Sequence, residues 1–326
     1  MIITRTPYRV SFFGGASDYS AWYQEHGGCV LTTTIDKYLH LSARFMPPFL
    51  GTKYRVMWSK IEAVNSRAEI QHAGVRGCLE YLGIDEGFEI NHAGDLPARS
   101  GLGSSSGFTV GMLHALHALQ GRHIPKPELA RQAIEVEQEV LKETVGIQDQ
   151  IECAYGGLNL IEIERDGTWH LRPVILPAQR LYAFQAHCML YFTGLQRHAS
   201  EIAKEQVQGF ASRAPALKAM QAMAPQGLRI LTDSGPLERF GELLHDGWLI
   251  KRGLSEKVSS DEIDETYRMA LQAGAIGGKL LGAGGGGFML LFARPSDQPR
   301  VRAAMEPLLE VPVVFERSGT QIIHSS

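Results

Sequence analysis

The chain has 326 residues, 44% of them hydrophobic and 21% charged, with a formal net charge of −3. This length exceeds the usual reach of one hydrophobic core and predicts two domains, and the mildly acidic balance excludes a general nucleic-acid binder, which needs a basic face. Cys29, Cys78, Cys153 and Cys188 are widely spaced and form no CxxC pair, so reduced packing thiols are expected rather than a disulfide framework or a zinc knuckle.

The first residues carry no charged-then-apolar leader, and no apolar stretch approaches membrane-spanning length, which predicts a soluble cytoplasmic protein. A strand over 2–10 runs on into Ser11-Phe12-Phe13-Gly14-Gly15-Ala16-Ser17-Asp18. Arg9 lies inside its apolar run, so it is either paired internally or aimed into a cleft. Ser17 or Asp18 either caps a helix over 19–26, or the Asp18 carboxylate grips sugar-like hydroxyls. Extended runs follow at 29–35, 38–45, 54–58 and 88–92, with a helix expected over 69–82.

The segment Leu96-Pro97-Ala98-Arg99-Ser100-Gly101-Leu102-Gly103-Ser104-Ser105-Ser106-Gly107 leads directly into an apolar helix over 104–119. Glycines let backbone amides approach an anion, and the helix start adds free N–H groups and the positive end of its dipole. Hydroxyls at that point cap the first turn or ligate a magnesium ion on nucleotide phosphates. The loop lacks the Lys-Ser/Thr ending of the commonest nucleotide-binding loop. His114 and His117 on this helix read as packing or surface groups.

A helix over 126–143 carries Glu135, Glu137, Glu139 and Glu143. The residues three and four positions from Glu137 are Ala133, Ile134, Val140 and Leu141, all apolar. Glu137 therefore sits on the buried stripe, as a metal ligand or in a structural ion pair, while its acidic neighbours are surface charges. After Gly146, a short helix over 147–154 begins with Asp149 in its first turn, where an acid also complements the dipole. Strands over 157–164 and 169–174 close an N-terminal domain of residues 1–180.

The domain over 181–326 is expected to be α+β with an antiparallel sheet. It starts with a strand over 182–192, turns helical over 198–273 with breaks at Pro215, Pro225 and Gly235-Pro236, and ends in strands over 287–292 and 311–316 flanking a helix over 298–309. The cluster Gly277-Gly278-Lys279-Leu280-Leu281-Gly282-Ala283-Gly284-Gly285-Gly286-Gly287 is either a tight turn packed on the other domain or a place where backbone meets ligand.

Taken in order, Pro7 to Tyr19, Leu96 to Gly107 and Lys279 to Phe288 resemble the three motifs of the GHMP kinase superfamily, and Gly146-Ile147-Gln148-Asp149-Gln150 resembles the catalytic-aspartate motif of its sugar kinases. Tyr8 to Gly15, Tyr191 to Gly194 and Gly278 to Gly282 look most like its heptose 7-phosphate kinase branch, and Gly14-Gly15-Ala16-Ser17-Asp18 departs from the galactokinase Gly-Glu-His-Thr-Asp. The resemblance implies an N-terminal ribosomal protein S5-like domain, a C-terminal ferredoxin-like domain, and ATP with Mg2+ in the cleft between them. It implies phosphate binding by Gly101, Leu102, Gly103, Ser104, Ser105 and Ser106, metal binding by Ser105 and Glu137, catalysis by Asp149 and Arg9, and substrate binding by Asp18, Gly15, Gly284 and Gly285. Lys53, Arg55, Arg99 and Arg197 are candidates for a distal phosphate. The implied partners are a sugar phosphate and ATP, without nucleic acid or membrane and with a homodimer left open; the implied role is nucleotide-heptose supply for capsule or lipopolysaccharide. The rivals are a hexose or fucose kinase, a non-catalytic sugar sensor, and an ATP-using decarboxylase.

Overall fold

The structure, a computed structural model, describes residues 1–194 and 199–326. The first half comprises β1 (Ile2–Phe13), α1 (Ser20–His26), β2 (Gly28–Phe45), β3 (Tyr54–Met57), β4 (Ile61–Val64), α2 (Ala73–Tyr81), β5 (Phe88–Gly94), α3 (Ser104–Leu119), α4 (Lys126–Glu135), α5 (Gln148–Tyr155), β6 (Leu158–Ile163) and β7 (Trp169–Pro173). The second comprises α6 (Ala178–Ala186), β8 (Cys188–Phe192), α7 (Ala199–Gln208), α8 (Ala214–Thr232), α9 (Glu238–Arg252), α10 (Asp261–Gln272), β9 (Ala275–Leu280), β10 (Phe288–Ala293), α11 (Gln298–Ala304), β11 (Leu309–Glu310), β12 (Phe315–Glu316) and β13 (Gln321–Ser325).

The long strand β2 is the spine of the first sheet. Its start pairs with β6, its end with β5, and the stretch from Leu31 to Ala43 with β1. Two strands separated at Asp36-Lys37 are expected from sequence; the chain instead bulges there, with Pro7 opposite Tyr38 and Tyr8 opposite Ile35. The Asp36 amide and carboxylate bind the backbone of Val314, so the polar pair is satisfied without breaking the strand. Helix α3 lies on this sheet. A Cβ on Gly107 would come within 2.8 Å of Leu39 Cδ1, and one on Gly111 within 2.7 Å of Thr6 Oγ1, which brings the helix close enough to hold its N-terminus over the end of β1.

The second sheet is antiparallel in the order β11-β8-β10-β9. Phe12 and Phe13 of β1 pack with Phe184, Phe240 and Phe292 in one core shared by both halves, and its tilted and edge-on rings add to the burial gain. The chain then returns to the first sheet, where β12 pairs with β2 and β13 with β1. Of the expected strand over 311–316 only β12 is strand, and the helix expected over 298–309 stops at Ala304, before β11. The stretch 182–192 is the end of α6 followed by β8, because short apolar runs do not distinguish the two periodicities. Helix α8 continues through Pro225, whereas Pro215 occupies the first turn, where its missing N–H is not needed. Cys78 and Cys153 are buried, Cys29 and Cys188 half-buried, and all four are free thiols. Among the described residues no helix is long and apolar enough to cross a membrane.

Candidate active site

The serine loop, the end of β1, the segment 141–149 and the turn between β9 and β10 enclose a cavity of about 570 Å3. Gly101 (φ 81°) and Gly103 (φ 74°) take the left-handed conformation that lets the loop fold back before α3. A Cβ on Gly103 would lie 2.9 Å from Arg9 Cγ, and one on Gly101 2.6 Å from the Leu281 carbonyl. Ser104, Ser105 and Ser106 open α3 and line the cavity.

Arg9 is both paired and aimed into the cleft. Its Nε and Nη2 donate to the two Asp149 oxygens at 2.6 and 2.7 Å, and its Nη1 donates to the Gly101 carbonyl at 2.7 Å. The bidentate fork fixes the Asp149 carboxylate at the start of α5, yet the Asp149 side chain keeps 21% exposure toward the cavity. Asp18 does not cap α1: the cap position is Tyr19 and it has no side-chain hydrogen bond. Asp18 turns inward instead, with Oδ2 accepting from the Gln148 amide at 3.3 Å and Oδ1 unpartnered. Burial and the charge of Asp149 push its carboxyl up to about 6. Gly146 is obligatory beside it, since a Cβ there would sit 1.8 Å from Asp18 Oδ2.

Glu137 is fully buried, as its apolar helical neighbours predict. Helix α4 passes into a single π turn, Val136–Val140, which delivers Glu137 beneath the serine loop. Its partners are hydroxyls and an amide rather than a cation: Ser106 Oγ donates at 2.8 Å, Thr109 Oγ1 at 2.9 Å, and Gln150 Nε2 also donates. Burial nevertheless pushes the carboxyl up to about 7. The structure therefore couples Glu137 directly to Ser106, while Ser105 lines the rim shared with a second cavity. Glu143, expected on the surface, is half-buried, lines both cavities, and is raised above the ordinary glutamate range by burial.

The second glycine cluster is a packed turn and also part of the wall. A Cβ on Gly282 would lie 2.5 Å from Gly101 Cα, and one on Gly287 2.3 Å from the Ser100 carbonyl. Gly282 and Ala283 face the cavity. The expectation for Gly284 and Gly285 is corrected: they turn away onto Val258, whose carbonyl accepts from the Gly285 amide at 2.9 Å. Gly15 lines the cavity. Of the distal-phosphate candidates, Arg99 borders both cavities, Arg55 pairs with Glu89 at 3.7 Å outside them, and Lys53 lies over the Tyr54 ring; Arg197 lies outside the described residues.

Sequence reasoning overlooked two buried lysines on the cavity wall. Lys279 donates to the carbonyls of Ser11 and Phe12, both at 2.9 Å, and Lys251 to those of Leu280 at 2.9 Å and Gly282 at 2.5 Å. For Lys251 a partial signal was present, since Leu244 and Trp248 precede it on the same helical stripe. It also overlooked Ser11 Oγ and Gln148 Oε1, buried at the same wall and, like Asp18 Oδ1, without partners. Unsatisfied buried polar atoms are costly, and these three belong to residues of one cavity wall.

Across the serine loop, the second cavity, of about 740 Å3, is aromatic. His72 stacks on Phe108 at 4.4 Å between ring centroids, with Trp58 and His92 edge-on to the pair. Desolvation lowers the pKa of both histidines, that of His92 to about 4, and the four rings make this wall aromatic.

Two models of the GHMP kinases match the chain, the N-terminal domain over residues 71–157 and the C-terminal domain over 218–308, together more than half of it. The D-glycero-alpha-D-manno-heptose 7-phosphate kinase of Campylobacter jejuni subsp. jejuni serotype O:2 is 28% identical over 311 residues, covering 91% of each chain. A mevalonate kinase of Pyrococcus horikoshii is 29% identical over 245 residues, 72% of this chain and 69% of its own. The crystal structure of a D-glycero-D-manno-heptose 1-phosphate kinase from Bacteriodes thetaiotaomicron matches with a TM-score of 0.81 at 22% identity, covering 100% of both chains. Galactokinase from Lactococcus lactis, complexed with galactose, matches at 0.77 and 19% identity over 99% of this chain and 95% of its own. These two structural likenesses establish the shared fold.

Proposed function

The chain belongs to the GHMP kinases as a sugar phosphotransferase, and we propose that it transfers the γ-phosphoryl group of ATP to the anomeric hydroxyl of D-glycero-D-manno-heptose 7-phosphate, giving the 1,7-bisphosphate and ADP. The observation that carries this reading is Asp149, fixed by Arg9 and facing a cavity between the serine loop and the unpartnered Asp18, Ser11 and Gln148 atoms. The 28% identity to a heptose 7-phosphate kinase supports the acceptor. The reading places the enzyme in the cytoplasm, where ATP is available, supplying heptose for surface polysaccharide.

In this reading the amides of 101–106 and the α3 N-terminus hold the nucleotide phosphates, and the base stacks in the aromatic cavity formed by Trp58, His72, His92 and Phe108. Mg2+ binds oxygen ligands and is commonly held by one or two carboxylates together with waters and substrate phosphates. The buried Glu137 carboxylate, with Ser106 hydrogen-bonded to it and Ser105 on the rim, fits that habit. When bound there, the metal supplies neutralisation of charge on the β- and γ-phosphate oxygens.

Asp18, Ser11 and Gln148 orient the sugar by accepting from or bonding to its hydroxyls. Each Asp149 oxygen spends one lone pair on Arg9 and retains another for the anomeric hydroxyl, which it orients and whose proton it accepts. Phosphoryl transfer has a loose transition state, so alignment and charge stabilisation dominate. Arg9 stabilises the developing charge and stops Asp149 from swinging. The test is ADP release with ATP and Mg2+ over a panel of free sugars and sugar phosphates, with 31P NMR of the product. Heptose 7-phosphate should give the highest kcat/KM and a new anomeric phosphate; absence of stimulation by every sugar would overturn the assignment.

A further inference from the structure

The two buried lysines remain unused by this chemistry. Lys251 and Lys279 are 7% and 8% exposed, both line the cavity, and neither has a carboxylate within ion-pair distance among the described residues. Each ammonium has three N–H donors and gives two to backbone carbonyls. A buried cation whose partners are all neutral is costly unless an anion arrives. Arg9, another cation of this wall, gives three of its five N–H donors to Asp149 and Gly101.

We infer that Lys279 and Lys251 form a recognition site for a phosphate monoester carried by the acceptor, separate from the nucleotide phosphates held by the serine loop. The placement favours the acceptor. Lys279 hangs from the carbonyl of Ser11, whose own unpartnered hydroxyl belongs to the sugar-facing wall, and from Phe12 at the strand end leading to Gly15 and Asp18. Lys251 closes the same wall from the turn that carries Gly282 and Ala283. Burial and the nearby Arg9 charge depress Lys279 to about 7, and burial with the Lys279 and Arg9 charges depresses Lys251 well below the ordinary lysine value. A phosphate dianion beside them reverses that shift, so binding of the acceptor and protonation of the pair are linked. The other charged and titratable groups lining this cavity are Arg9, Asp18, Tyr19, Arg99, Lys142, Glu143, Asp149 and Lys204.

The inference rests on the sugar-kinase reading, and its test separates the two. K279M and K251M keep the aliphatic stem and remove the charge. With heptose 7-phosphate as acceptor, each variant should raise KM by about 10- to 100-fold, the worth of a hydrogen bond to a charged group. With the unphosphorylated heptose kcat/KM should stay within about twofold, and ADP affinity by calorimetry should not change. Equal losses on both acceptors, or a loss confined to ATP, would overturn the inference while leaving the kinase assignment intact; no turnover of either acceptor by the wild type would overturn the kinase assignment itself. The wild type alone supplies a second measurement that does not depend on variants folding. Inorganic phosphate should compete with heptose 7-phosphate but stimulate, or leave unchanged, turnover of the free heptose; competition with ATP alone would refute the site.

Discussion

Replacing Glu137 by glutamine should make the protein more stable and nearly inactive. The side chain is fully buried, and desolvation holds its carboxyl at about 7 against an ordinary 4.5. An acid with a raised folded-state pKa stays protonated in the native state while the unfolded chain ionises, so stability falls as pH rises from about 4.5 to about 7 and stays reduced above it. At 1.36 kcal/mol per unit, that gap corresponds to about 3 kcal/mol at pH 8. Glutamine carries no charge and keeps the hydrogen bonds: its oxygen accepts from Gln150 and Ser106, and its amide donates to Thr109 Oγ1, whose hydroxyl then turns to the Ser105 carbonyl 3.3 Å away. Guanidinium unfolding in EDTA should show E137Q more stable than wild type by up to about 3 kcal/mol at pH 8 and equal to it near pH 4.5. Turnover with Mg-ATP should fall on the order of 100-fold or more, as for loss of a charge that stabilises the transition state. A variant less stable than wild type at both pH values would refute the reasoning, because it would make Glu137 a structural anchor and not a site held in readiness for a cation.

Asp149→Asn should lower turnover about 100-fold or more without weakening ADP binding in a calorimeter; unchanged turnover would remove Asp149 from the mechanism. Gly146→Ala places a methyl 1.8 Å from Asp18 Oδ2, so acceptor KM should rise about tenfold or more while ATP KM does not. The Asp18 carboxyl at about 6 gains its charge as pH rises through that value, so acceptor KM should fall between pH 5 and 7, and D18N should flatten that profile. Phe108→Ala should raise the ADP dissociation constant about tenfold or more, by loss of a stacking face worth ~1–3 kcal/mol.

Glu137 was legible in the sequence because helical spacing alone decides which of four glutamates faces inward. Glu143 was not, because the helix ends after the π turn at Val136–Val140 and leaves Glu143 in the irregular segment beyond it, where helical spacing no longer applies. The serine loop was legible as a run of glycines and hydroxyls at a helix start, although the same residues also serve as ordinary caps. Asp18 and Lys279 required the fold: the first could have capped α1, and the second sits in a glycine-rich run where only tertiary contact reveals that its ammonium reaches the end of β1. The return of β12 and β13 to the first sheet likewise depends on partners some 280 residues away for β12 and more than 300 for β13, beyond any local pattern.

The backbone contact between Gly101 and Gly282, repeated between Ser100 and Gly287, bears on how the cavity is walled. Where these two stretches of backbone meet there is no room for a side chain on either, so this part of the cavity wall is closed by main chain alone. A side chain added at Gly282 or Gly287 would therefore reach the cavity by prising the serine loop from the turn between β9 and β10, without touching any polar group of the site.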